Sequence, residues 1–498
     1  MFMLLKTEEF EAKKTVLIQQ CRCPECGLTV YVHGTPLPAS CPFCQQPLAR
    51  TEQEVPLGAS VEFPALDEAR ARMARLYRRP PKWLSFLILT VALVMLAVAV
   101  FMQLRSAGNY FYQPLVSIYS LIAGIFVVSR FLIASIYVAP PNTNYEPTVT
   151  VLVPCMNEEA VIRQTIERIF AAGYPNENLE VVCVDDGSSD NTLQEMLAAQ
   201  THHPNLVVVS FAKNRGLCNA WAVGVLLGRG EFMVCVDSDT FIFPGSLQKL
   251  MQGFVDPTVG GISGHCDVEN AQTNLLTRMQ DVRYFFSYKV MKAAESVTGT
   301  VSCLPGCFSA YRRACVLHVL DEWLNATVMG EHGNYGDDRS LTNLILRDYK
   351  ILYTDQALAT TIAPENWGQY VRQQARWNRS YLREIVKVGR WMWRKHPVSA
   401  LSWYAMMWMP IIEPVVITSA LVIAPIMALL AGGSNLASAY IMGVLAITMV
   451  WTLHFWERTG RRYWWTGFIY TASYMAFFSW QIYWALLTLR GKKWGTRG

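Results

Sequence analysis

Two short acidic runs in this chain have the makings of catalytic machinery. Asp237-Ser238-Asp239 follows the apolar run Phe232–Val236, and Asp337-Asp338 lie in Tyr335-Gly336-Asp337-Asp338-Arg339, ahead of a leucine-rich helical pattern. Carboxylates at the carboxyl end of a parallel strand stand at the mouth of a ligand crevice, where they can hold Mg2+ or Mn2+ against a diphosphate. Alone the D-x-D spacing is weak, because a solvated acidic turn has the same composition. Two further strand ends strengthen it. Asp185-Asp186-Gly187-Ser188 follows Val181–Val184, and Val153-Pro154-Cys155-Met156-Asn157-Glu158 closes the first apolar run. Three polar strand ends converging on one crevice describe a nucleotide pocket, with Asp185 and Asp186 suited to the base and ribose and Glu158 beside them. A carboxylate near the cation can accept the proton of an attacking hydroxyl. Asp338 and Asp337 are the candidates, although an Asp in that place also suits a helix N-terminal cap, and Asp338 can do both.

Two other clusters carry chemistry. In Gln373-Gln374-Ala375-Arg376-Trp377, on an amphipathic stretch, the indole can stack on a sugar ring and the arginine can clamp a pyrophosphate. A Trp-Arg pair there also suits a membrane anchor. Cys23-Pro-Glu-Cys26 and Cys41-Pro-Phe-Cys44 form two C-x-x-C pairs whose four thiolates suit a closed, structural Zn2+ site, with Cys21 a spare for Cys23. No catalytic motif lies within residues 1–60, so this ribbon is expected to be dispensable for the chemistry.

The elements that must position these residues follow from composition. Of 498 residues, 52% are hydrophobic and only 16% charged, too little charge to cover a globular surface of this size, so part of the chain must face lipid. The net charge of +5 is no footprint of a nucleic-acid partner, and none is expected. Thirteen cysteines without an apolar leader (Met1–Gln20 is mixed and charged) suit a reducing compartment with one metal cluster.

Seven regions result: a zinc ribbon over 1–60, an amphipathic linker over 61–82, a transmembrane hairpin over 83–138, an α/β domain over 147–365, interfacial helices over 366–397, apolar helices over 398–489 and a tail over 490–498. Within 147–365, short β-branched runs alternate with helical patterns, as a parallel sheet requires. Arg75, Arg78, Arg79 and Lys82 place the start of the first span in the cytosol, and with it the α/β domain and both termini. Apolar runs near 412–432 and 436–456 complete four spans, and the aromatic segment 463–489 reads as interfacial or re-entrant.

The order P-x-x-N-E, D-D-G, D-S-D, G-D-D-R, Q-Q-x-R-W and W-G-T-R resembles the processive family-2 glycosyltransferases, hyaluronan synthases most closely and chitin and cellulose synthases more widely. The likeness covers about residues 83–498, with most specific matches between 231 and 382, and includes Gln272–Arg278, Ala294–Gly299 and Ala310–Arg313. It implies a GT-A-type glycosyltransferase domain inserted between transmembrane helices of a plasma-membrane protein. The implied reaction is inverting transfer from UDP-sugars, UDP-GlcNAc and UDP-GlcA, to a growing polysaccharide that is exported past the membrane lipids.

The resemblance also implies roles. Asp239 leads in metal binding, Asp237, Asp185 and Asp186 contact the nucleotide, and Asp338 is the base. Trp377 floors the acceptor site with Gln373, Arg376 meets the diphosphate and Cys303 lines the acceptor pocket. Trp494 and Arg497 belong to a loop that closes over UDP. Departures lie where sugars are chosen: Met156 replaces a common tyrosine, Leu217-Cys218 a basic pair, and Leu304-Pro305-Gly306-Cys307 a glycine-proline turn. The ribbon lies outside the family pattern. The alternatives are a chitin-like synthase using UDP-GlcNAc alone and, in another class, an inactive transferase-like membrane regulator.

Overall fold

The computed structural model describes residues 15–33, 38–57, 79–106, 113–328, 331–332, 337–431 and 436–489. Three strands come first: β1 (Thr15–Arg22), β2 (Thr29–Val32) and β3 (Ala49–Pro56). The α/β domain adds β4 (Val149–Cys155), β5 (Leu179–Asp185), β6 (Leu206–Ser210), β7 (Phe232–Cys235), β8 (Thr240–Ile242), β9 (Val259–Val268) and β10 (Ser309–Arg312). The short β11 (Thr327–Val328) and β12 (Glu331–His332) pair apart from the rest, and β13 (Lys350–Thr361) returns to the main sheet.

Every residue of β4, β5 and β7 is buried. Such unbroken apolar runs are what parallel strands covered on both faces need. The main sheet runs β3-β1-β2-β6-β5-β4-β7-β10-β9-β13-β8, with β6, β5, β4 and β7 parallel and β10 antiparallel to its neighbours. The parallel group sends the carboxyl ends of β4, β5 and β7 to one edge. The ribbon is continuous with this sheet, because β2 pairs antiparallel with β6 through Thr29↔Ser210, Val30↔Val209 and Tyr31↔Val208.

Among the described residues, four helices are long and apolar enough to cross a membrane: Lys82–Arg105, Pro114–Ser135, Pro397–Leu430 and Leu436–Thr459. The third begins well before the 412 expected from hydropathy. It carries Pro410 and Pro414 inside it, and a π-helical turn follows at Ser419–Ile423. Helices in lipid tolerate interior prolines when neighbouring groups satisfy the freed backbone. The segment 463–489 forms Thr466–Ser473, a π turn at Tyr474–Phe478 and Gln481–Leu487, which packs on the amphipathic helix Trp367–Gly389. Before it, Arg461 pairs with the buried carboxylate of Asp281, and Tyr463 Oη donates to the same group at 2.7 Å. That loop therefore lies on the α/β-domain side of the helices.

Candidate active site

The first two strand ends are knitted together by their own polar side chains. Asn157 adopts a left-handed φ of 57°, a conformation Asn tolerates better than most residues. Its Oδ1 accepts from the Ser189 N–H at 2.8 Å, and its own N–H donates to Ser188 Oγ at 2.9 Å. Asp185 and Asp186 are both buried. Asp185 accepts from the Ser188 N–H and from Ser210 Oγ, each at 3.0 Å. Asp186 accepts from the backbone N–H groups of Arg215 (2.6 Å) and Gly216 (2.9 Å), while burial pushes its pKa up to about 6. A Cβ at Gly187 (φ 73°) would come within 2.7 Å of the Asn214 nitrogen. The two acids thus clamp the 185–189 and 213–216 loops together. Met156 contributes its sulfur, which accepts from Asn214 Nδ2 at 2.7 Å.

Beside these loops the remaining acids converge. Burial pushes Asp237 up to about 7, the negative charges of Asp239, Asp338 and Glu158 add to it, and Arg376 opposes it. All five groups therefore share one field. Asp239 accepts from Thr361 Oγ1 at 3.2 Å. Gly306, in the departing Leu304–Cys307 turn, backs onto Asp237: a Cβ there would sit 2.7 Å from Asp237 Oδ1. Asp338 lies in the first turn of the helix Asp337–Leu346, not before it, and accepts from the Arg339 N–H at 2.7 Å, so it satisfies one first-turn donor without being the N-cap residue. Its Oδ2 is 3.8 Å from Cys303 Sγ, whose thiol is pushed up to about 11 by burial and next by that charge. Carboxylate oxygens are the donors a hard divalent cation takes, and Asp237 and Asp239 offer them at the end of β7. The side chain of Asp337, and the whole of Trp494 and Arg497, lie outside the described residues.

The helix Trp367–Gly389 supplies the other candidate residues. Arg376 and Trp377 are half-buried on it, and among the described residues Arg376 Nε and Gln373 Oε1 are buried without a hydrogen-bond partner. Buried polar atoms without a protein partner suit a polar ligand. Sequence reasoning missed Arg283, whose guanidinium lies 5.6 Å from the Trp377 ring and donates to Gln374 Oε1 at 2.6 Å. A lone arginine before the aromatic run Tyr284-Phe285-Phe286 was the available signal. It also passed over the supports of Cys303: Lys292 Nζ donates to its carbonyl, and the Glu295 carboxylate accepts from the Ser302 N–H at 3.0 Å.

The four ribbon thiols form a separate centre. The sulfurs of Cys23, Cys26, Cys41 and Cys44 all lie within 4.8 Å of one another. A tetrahedron of Zn–S bonds near 2.3 Å has edges of about 3.8 Å, so the set fits zinc. Two matching turns build it: Gly27 N–H donates to the Cys23 carbonyl (3.1 Å) and Gln45 N–H to the Cys41 carbonyl (3.0 Å). Both turns place their fifth residue, Gly27 and Gln45, at positive φ. Cys21 is buried within β1 and is not one of the four, so it is no substitute for Cys23.

Residues 150–320 match the model of Glycosyl transferase family 2. The chain is 32% identical over 293 residues to a hyaluronan synthase of Streptococcus pyogenes, covering 57% of this chain and 69% of that protein. It is also 32% identical over 266 residues to an N-acetylglucosaminyltransferase of Rhizobium leguminosarum bv. viciae, covering 53% and 62%. Among solved structures, a mannosyltransferase from Pyrobaculum calidifontis, in complex with GDP-Man and Mn2+, shares the fold at a TM-score of 0.50 and 21% identity, over 72% of this chain and 99% of that one.

Proposed function

We propose that this chain, which belongs to glycosyl transferase family 2, is a membrane polysaccharide synthase of the hyaluronan type, using UDP-GlcNAc and UDP-GlcA. The observation that carries the reading is the placement of Asp237 and Asp239 just after β7, with Gly306 of the Cys303 loop packed on Asp237 and Cys303 Sγ 3.8 Å from Asp338 Oδ2. Asp239 with Asp237 would hold a divalent cation, Mg2+ or Mn2+, which when bound would neutralise charge on the departing diphosphate. Arg376 meets that diphosphate, and the loops clamped by Asp185 and Asp186, with Glu158, bind the nucleoside. Asp338, with Asp337 beside it, takes the proton of the acceptor hydroxyl as its oxygen bonds to C1 and the bond from C1 to the diphosphate oxygen breaks, with inversion. Trp377 and Gln373 floor the acceptor against the Cys303 loop, and Trp494 and Arg497 close over UDP. The four thiolates hold a structural zinc.

The domains proposed are those set by composition, with the α/β domain and both termini cytosolic. Arg461, expected on the cytosolic side from its charge, is paired to Asp281 of that domain, which supports this topology. Equal identity to N-acetylglucosaminyltransferases favours a second reading, a polymer made from UDP-GlcNAc alone. Purified protein given radiolabelled UDP-GlcNAc, with and without UDP-GlcA, decides. Polymer that requires both donors is expected; polymer from UDP-GlcNAc alone supports the second reading, and no incorporation sinks both.

A further inference from the structure

The cysteine ribbon and the donor loop meet at Arg215. Its backbone N–H, with that of Gly216, donates to the buried Asp186 carboxylate. Its guanidinium reaches the opposite way, where Nη2 donates to the carbonyl of Cys26 at 2.8 Å. The same guanidinium lies 5.5 Å from the ring of Phe43, between Cys41 and Cys44, and 5.4 Å from that of Phe211. The junction is tight: a Cβ on Gly27 would stand 3.2 Å from Ala212 Cβ. The neighbouring pairing repeats the pattern, since β2 lies against β6, whose Ser210 donates to Asp185.

The Cys26 carbonyl and the Phe43 ring sit in the two metal-binding turns. The buried Leu28, Val30 and Val32 hold β2 to the sheet, but the Cys23–Gly27 and Cys41–Gln45 turns are joined to each other across the four thiolates, so their relative placement depends on the metal. We propose that Arg215 is a positioning residue for the donor nucleotide, and that the metal-loaded ribbon is the element that holds it in place. Loss of the metal releases the Cys26 carbonyl and the Phe43 face. Arg215 then loses its outer anchor, and the 213–216 segment its registry with Asp186. The proposal rests on reading the thiolates as a zinc site and the 185–189 and 213–216 loops as the donor wall.

The test measures UDP affinity of the purified full chain by calorimetry at constant Mg2+, before and after a zinc-selective chelator. Zinc removal is expected to weaken UDP binding about tenfold, the worth of one hydrogen bond to a charged group, and zinc readdition to restore it. R215A should weaken UDP binding to the same degree, raising the donor KM more than it lowers kcat, with R215K intermediate. Zinc removal from R215A should then add nothing, since two changes along one chain of contacts are not additive. Unchanged affinity after zinc removal, or additive losses, overturns the proposal while leaving the zinc and donor readings intact. Wild-type protein that binds UDP but carries no zinc, or binds no UDP, sinks the underlying reading and the proposal with it. Should R215A not fold, the reversible zinc arm on the unmodified chain decides.

Discussion

Asp338→Asn separates chemistry from binding and from folding. The substitution keeps an oxygen where Asp338 accepts from the Arg339 N–H, so the first turn of its helix retains that bond. It removes a negative charge near the helix N-terminus, worth about 0.3–1 kcal/mol. It also relieves the charge beside Cys303, but burial is the larger cause of that thiol's elevation, so the thiol stays protonated at neutral pH. Against these small terms stands the loss of a general base, about 10²–10⁴-fold in rate. At 1.36 kcal/mol per tenfold that is about 2.7–5.4 kcal/mol of barrier, so the catalytic effect dominates. Incorporation of radiolabelled sugar should therefore fall by that factor, while UDP affinity by calorimetry and the melting temperature stay near wild type. Turnover within a few-fold of wild type, or UDP binding lost in parallel with turnover, refutes the assignment of Asp338 as base.

Gly306→Ala should drive a methyl group into Asp237 and lower kcat/KM by up to about 10²-fold without unfolding, as misplacements near 1 Å do; normal kinetics would count against the packing seen there. Metal analysis of purified protein should find about one zinc per chain, and serine at Cys23, Cys26, Cys41 or Cys44 should lower it. Deleting residues 1–57 should depress the melting temperature, because β6 loses one of its two partner strands and Phe211 its packing against Phe43; unchanged melting would restore the ribbon as dispensable. In sealed vesicles with the α/β domain outside, product should collect in the lumen and resist added glycosidase until detergent is present. Complete digestion without detergent would rule out coupled export.

Sequence alone determined whatever repeats locally along the chain. β-branched runs ending in acids placed Glu158, Asp185, Asp186, Asp237 and Asp239 at strand ends, because a parallel strand is apolar until it reaches the crevice. Apolarity of the spans, though not the early start of the third at Pro397, and the C-x-x-C spacing were legible for the same reason. Tertiary structure decided what depends on residues distant in sequence. The pairing of β2 with β6 is made by backbone hydrogen bonds, which leave no side-chain signature, so a ribbon that reads as dispensable becomes the edge of the sheet. The guanidinium of Arg215 against Cys26, Arg283 over Trp377 and Gly306 behind Asp237 likewise follow only from the directions in which packed elements cross. A periodic pattern tells which face of an element is buried, and only the packed chain tells what it is buried against.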